Sequence, residues 1–115
     1  MNAANDTVPE PLVLTQTKDG VCTLTMNRGD RFNPLSRAMI AAFETELDRI
    51  AADKDARAVV LAANGRGFCA GHDLKELRDH PDPQWRAELF EQCSELMVQV
   101  TRLRQPVIAE VATVA

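Results

Sequence analysis

Gly65, Gly67 and Gly71 fall within seven residues of one another, and His72 and Asp73 follow at once, in the stretch GRGFCAGHDLKEL. Glycine admits backbone angles that other residues avoid and clears side chains from the approach of a ligand. The loop leads toward a helix opened by Asp73. At a helix N-terminus the first N–H groups lack partners and the dipole is positive. Such a place suits an anion or a developing negative oxygen. The N–H of His72 is the best-placed donor, because Gly71 leaves room before it. One donor of this kind is worth about 3 kcal/mol in a transition state. The same composition also makes a tight strand-to-helix connection with no ligand, and spacing alone leaves both open. Cys69 with His72 raises a thiol or metal site, but no paired Cys motif completes it. Asp73 with Glu76 fits a capping pair better than an acid/base pair.

The elements that must position this loop can be read outward from it. RAVVLAA, residues 57–63, precedes it as a short apolar strand that suits a sheet covered on both faces. Upstream, LVLTQT and VCTLTM alternate around KDG and predict a hairpin. NRGDRFNP is a loop broken by Gly29 and Pro34. Ser36 caps a helix whose buried face is Met39, Ile40, Phe43, Leu47 and Ile50. Downstream, Asp82 and Pro83 start the longest periodic element, with Trp85, Leu89, Cys93, Leu96, Val100 and Leu103 on one stripe. Cys93, Trp85 and Phe90 are core residues on this reading. A last strand spans 106–111 and carries Glu110, whose role the sequence leaves open. The order β-β-α-β-α-α-β is an α/β layout, with strands 57–63 and 106–111 in a right-handed parallel unit. Ligands of such units sit off the carboxyl ends of the strands, where the glycine loop lies.

The 115 residues suggest one domain, with a loose tail over 1–10 and the domain over 11–115. Net charge is −4 with no basic run, which argues against nucleic-acid binding. No apolar stretch approaches the length of a membrane helix. The N-terminus lacks the features of a secretory or mitochondrial leader. Three cysteines at unrelated spacings point to a reducing cytoplasmic setting.

AVVLAANGRGFCAGHDLKEL resembles the signature of the crotonase, or enoyl-CoA hydratase/isomerase, superfamily. GVCTLTMNRGDRFNPLS is similar to its first hairpin and following loop, and QPVIAEV to the strand before its second glycine-rich motif. The resemblance covers roughly residues 12–111. It implies the N-terminal portion of a crotonase-like ββα spiral that binds acyl-CoA thioesters. It places the thioester oxygen at the His72 N–H, with Ala70, Asp73, Leu74 and Lys75 along the path of the CoA and pantetheine. Arg28 falls where the family contacts the nucleotide portion, and a guanidinium also suits phosphate. The implied parent activity is hydration of a 2-enoyl-CoA in fatty acid metabolism, a lyase reaction. No cofactor is implied beyond the coenzyme A carried by the substrate, and full-length members associate as trimers or hexamers.

Here the chain reads EVATVA where the family continues into a second glycine turn, the second oxyanion donor and the catalytic carboxylates. The expectation is therefore a truncated crotonase with little hydratase activity of its own. Two rivals remain. A dinucleotide site is disfavoured because the glycine spacing is one residue too long and no acidic residue closes a second strand. A non-catalytic CoA-binding or assembly fragment would expose apolar surface on its long helix and last strand.

Overall fold

The computed structural model describes residues 10–112 and 114. The tail expected over 1–10 lies, apart from Glu10, outside the described residues. Strands β1 (Val13–Lys18) and β2 (Val21–Met26) form the expected hairpin, pairing Lys18 with Val21. Asp19 and Gly20 both have positive φ, 53° and 82°, as a two-residue I′ turn requires. Helix α1 (Arg37–Ala51) then crosses to β3 (Ala58–Ala63), which lies parallel to β2. Helices α2 (Leu74–Asp79) and α3 (Pro83–Arg102) lead to β4 (Val107–Ala109), parallel to β3. The sheet order is β1-β2-β3-β4.

One face of this sheet makes the core. Cys22, Leu24 and Met26 stand in register with Val59, Leu61 and Ala63, and α1 lays Met39, Ile40, Phe43, Leu47 and Ile50 against them. Leu89 and Leu96 of α3 complete the cluster. Serine Oγ of Ser36 accepts from the Met39 N–H at 3.1 Å, so α1 starts where its cap predicts. Asp82 caps α3 by accepting from the Gln84 N–H at 3.1 Å, with Pro83 in the first turn. Trp85 packs as expected: the His80 ring stacks on it at 4.0 Å and the Arg37 guanidinium stands 5.4 Å from its centre.

Three sequence expectations about the fold need correction. Phe90, expected in the core, is 47% exposed and packs edge-on with the His72 ring. β4 is three residues long rather than six: Val107, Ile108 and Ala109 hold register with β3, flanked by single hydrogen bonds at the Pro106 carbonyl and the Glu110 N–H. The sheet is also covered on one face rather than two. Leu14, Val21 and Ile108, on the other face, are 39%, 38% and 56% exposed. The apolar run in β3 satisfied a pattern that two-sided burial would also produce, and small residues such as Ala58 and Ala62 do not discriminate.

β1 is tied to α1 by a polar cluster. Thr15 Oγ1 and Arg49 Nη2 each donate to Glu46 Oε1 at 2.8 Å. The Arg49 hydrogen bond, more than the opposing effect of burial, holds the Glu46 carboxyl below its ordinary value of 4.5. Folding lowers this pKa, so the stabilisation is present above the unfolded value and lost as pH falls through the folded one. We expect the difference in melting temperature between wild type and Glu46→Gln, measured by circular dichroism, to be present at neutral pH. It should shrink as pH drops below 4.5.

Candidate active site

The glycine loop and the loop after β2 pack backbone to backbone. A Cβ placed on Gly65 would lie 2.5 Å from Gly29 Cα, and one on Gly29 would lie 2.5 Å from the Asn64 carbonyl oxygen. Gly65 also has a φ of 93°. A Cβ on Gly67 would meet the Phe32 ring at 2.8 Å. Gly65 is thus required by backbone packing inside the chain, and Gly67 is crowded by the half-exposed Phe32 side chain. Gly71 differs, because its φ is 89° and nothing lies within 4 Å of where its Cβ would be. Open space at a left-handed glycine is what access to the following peptide needs.

Both polar groups of Gly71 are engaged. Its N–H donates to Cys69 Sγ at 3.5 Å, and its carbonyl accepts from the Leu35 N–H at 2.7 Å. The Gly71–His72 peptide is planar and trans, so its N–H points opposite to its carbonyl. With the carbonyl held toward Leu35, the His72 N–H is turned away from that segment. Among the described residues nothing accepts a hydrogen bond from it. The donor expected from sequence is therefore available, but for a different reason. It is not part of a helix N-terminus. Helix α2 begins two residues later, spans six residues, and its free Lys75 and Glu76 N–H groups are taken by the Asp73 carboxylate at 3.1 and 3.2 Å. A lateral backbone bond, not a helix dipole, orients the His72 peptide.

The capping pair is only half present. Asp73 caps α2, whereas Glu76 Oε1 accepts from the Arg37 N–H at the start of α1, at 3.1 Å. Ala70 is exposed and donates its N–H to the Phe32 carbonyl at 2.9 Å. Leu74 is 77% exposed and Lys75 is exposed. Arg28 is exposed on the neighbouring loop, and no ion pair engages it among the described residues. The contact between Gly29 and Gly65 brings its loop against the glycine loop. The His72 imidazole packs edge-on against Phe90 of α3, with ring centres 5.3 Å apart, and its Nδ1 is buried without a partner among the described residues. Glu110 is exposed; its N–H donates to the Leu61 carbonyl at 2.8 Å and extends the ladder of β4.

Cavities flank the Phe68–Cys69 segment on two sides. One, of about 420 Å³, lies among Phe32, Arg66, Gly67 and Ala70. The other, of about 150 Å³, is walled by Met26, Leu35, Phe43, Leu96 and Val100 and exposes no polar surface. Cys69 and Cys93 are free thiols, and burial, with the neighbouring Cys69 adding to it, pushes the Cys93 thiol up.

Asn33 escaped the sequence reading. It is wholly buried and has a positive φ of 50°. Its Nδ2 donates to the carbonyls of Asn64, Gly67 and Phe68 at 2.9, 3.2 and 3.1 Å, and its Oδ1 accepts from the Arg28 N–H at 2.7 Å. The signal in the sequence was an asparagine before proline inside a loop, which turn chemistry alone explains.

A sheet with parallel β2, β3 and β4, crossover helices and a glycine loop off the end of β3 define an α/β unit. The family model for enoyl-CoA hydratase/isomerase matches residues 21–113. The chain belongs to that family, the crotonase superfamily, and has the fold of its N-terminal portion. It is 33% identical over 100 residues to enoyl-CoA hydratase domain-containing protein 3 of the mouse, covering 87% of this chain and 33% of the mouse protein. It is 34% identical to 1,2-epoxyphenylacetyl-CoA isomerase of Escherichia coli, covering 90% and 40%. Among solved structures, an enoyl-CoA hydratase of Mycobacterium smegmatis superposes with a TM-score of 0.86 at 50% identity, covering 89% of this chain and 40% of that one. Human enoyl-CoA hydratase domain-containing protein 3 superposes with a TM-score of 0.84 at 29% identity, again covering 89% and 40%. The chain spans between a third and two fifths of the length of these proteins.

The glycines should separate by experiment. In urea unfolding, we expect Gly65→Ala to cost at least about 2 kcal/mol, since it adds both strain and a clash. Gly71→Ala should cost about 1 kcal/mol, from the positive φ alone.

Proposed function

We propose that this chain is the acyl-CoA-binding portion of an enoyl-CoA hydratase/isomerase-type enzyme. The thioester oxygen sits at the His72 N–H. The observation that carries this reading is the Gly71–His72 peptide, whose carbonyl is fixed by Leu35, whose N–H is unclaimed among the described residues, and beside which Gly71 leaves open space. The wholly apolar cavity behind Phe68 and Cys69 suits an acyl chain. Ala70, Asp73, Leu74 and Lys75 follow the pantetheine, and exposed Arg28 meets the phosphates.

The parent reaction is hydration of a 2-enoyl-CoA. An oxyanion donor lowers the barrier by holding the negative charge that develops on the thioester oxygen as water adds. Water addition also needs a positioned base. Asp73 and Glu76 are engaged as caps, so neither is a free base at this donor. The chain alone therefore binds thioester and adds water slowly or not at all. Its setting is cytoplasmic, and the full-length form is a homo-oligomer. A second reading, an assembly fragment, draws on the exposure of Met97, Val98 and Ile108 at 48%, 45% and 56%. Light scattering on the eluting protein decides it, because a monomer at all concentrations excludes self-assembly.

Isothermal titration with butanoyl-CoA, a saturated thioester that cannot be hydrated, tests the binding. We expect heat with the wild type and weaker binding with Gly71→Ala, whose Cβ would stand in the approach. With crotonyl-CoA, loss of the conjugated absorbance should stay near the uncatalysed rate. Turnover at the rate of a full-length relative would overturn the reading that this chain alone adds water poorly.

A further inference from the structure

Resting on the acyl-CoA reading, we infer that Asn33 is the positioning residue of the ligand site, setting through one carboxamide both the His72 end and the Arg28 end. The two loops it joins are 31 to 35 residues apart in the chain. On one side its Nδ2 spans three carbonyls in the first part of the glycine loop, those of Asn64, Gly67 and Phe68. Two residues further along the same loop, the Leu35 N–H holds the Gly71 carbonyl and so aims the His72 N–H. On the other side its Oδ1 takes the Arg28 N–H, and its own N–H donates to the Arg28 carbonyl at 2.9 Å. An amide has one acceptor oxygen and two N–H donors. An aspartate keeps the acceptor and loses the donors, and an aliphatic side chain loses both. The left-handed backbone excludes most other residues, so asparagine meets both demands at once. Asn33 touches no ligand on this reading; it acts through His72 and Arg28.

The test compares Asn33→Gly, which tolerates the positive φ but lacks the amide, with Asn33→Asp and with Leu47→Ala. Leu47 is a fully buried α1 residue lining neither cavity, and its truncation lowers stability without touching the loops. Butanoyl-CoA affinity and backbone hydrogen exchange are measured at a temperature where circular dichroism shows each variant folded. We expect Leu47→Ala to bind within about twofold of wild type and Asn33→Gly to lose about tenfold or more. Exchange in Asn33→Gly should quicken in residues 27–36 and 64–72 together, with α1 and α3 unchanged. Asn33→Asp should loosen 64–72 while the Arg28 N–H stays protected. Wild-type affinity in Asn33→Gly, or equal losses in Leu47→Ala, would overturn the inference, as would unfolding of the whole chain in both Asn33 variants. Should the wild type bind no thioester, the acyl-CoA reading fails alone, and exchange decides the rest. Joint loosening of the two loops then upholds the coupling of one to the other, and loosening of only one in Asn33→Gly sinks it.

Discussion

The contact between Gly29 and Gly65 is the constraint on which the site depends. A Cβ on either would lie 2.5 Å from backbone atoms of the other loop, a separation that real side-chain carbons do not tolerate. Two backbones brought this close would normally strand polar groups, and a buried unpaired amide or carbonyl costs about 1–3 kcal/mol. Asn33 resolves this by supplying hydrogen bonds to three carbonyls and accepting one N–H from a position with no exposure. The close approach and the buried amide are thus one arrangement. The glycines permit the contact, and the amide satisfies the groups that the contact hides.

From that fixed contact the orientation of the donor follows by covalent geometry. The segment after Asn33 runs beside the glycine loop, pairing Leu35 with His72 as a single parallel bridge. A planar peptide then has no freedom left: once its carbonyl is engaged at 2.7 Å, its N–H direction is set. This is a stiffer device than a helix terminus. Six residues of α2 carry little dipole, and the Asp73 carboxylate already sits on its free N–H groups.

Local chemistry was the legible part of the sequence. The period of α1 named all five of its buried residues, the α3 stripe found Leu89 and Leu96, and Ser36, Asp73 and Asp82 each cap the helix they precede. Alternation and an Asp-Gly turn located the hairpin. What stayed hidden involves partners far apart in the chain. Nothing near Glu76 indicates that it serves Arg37, 39 residues away, instead of its own helix. Asn33 looks like any loop asparagine until residues 64–68 are beside it. The length of β4 does not follow the apolar run around it: pairing ends at Ala109 opposite Leu61, although β3 continues to Ala63. Likewise the three glycines look equivalent in sequence, yet two are held by packing and the third faces open space.

That last difference separates fold from ligand. A glycine kept by a neighbour's backbone reports only on the chain, so Gly65 would be needed in a protein that bound nothing, and Gly67 answers to the Phe32 ring beside it. Gly71 is not crowded by the chain, and a small cap or an asparagine could adopt its left-handed angle at modest strain. Its lack of a side chain has its effect in the space outside. That space borders the His72 N–H, whose direction is set and for which no acceptor stands among the described residues, with cavities on two sides of the preceding Phe68–Cys69 wall. Neither cavity is lined by Gly71 or His72, so what joins them to the donor is the shared Phe68–Cys69 wall, two residues before the glycine that leaves the peptide open.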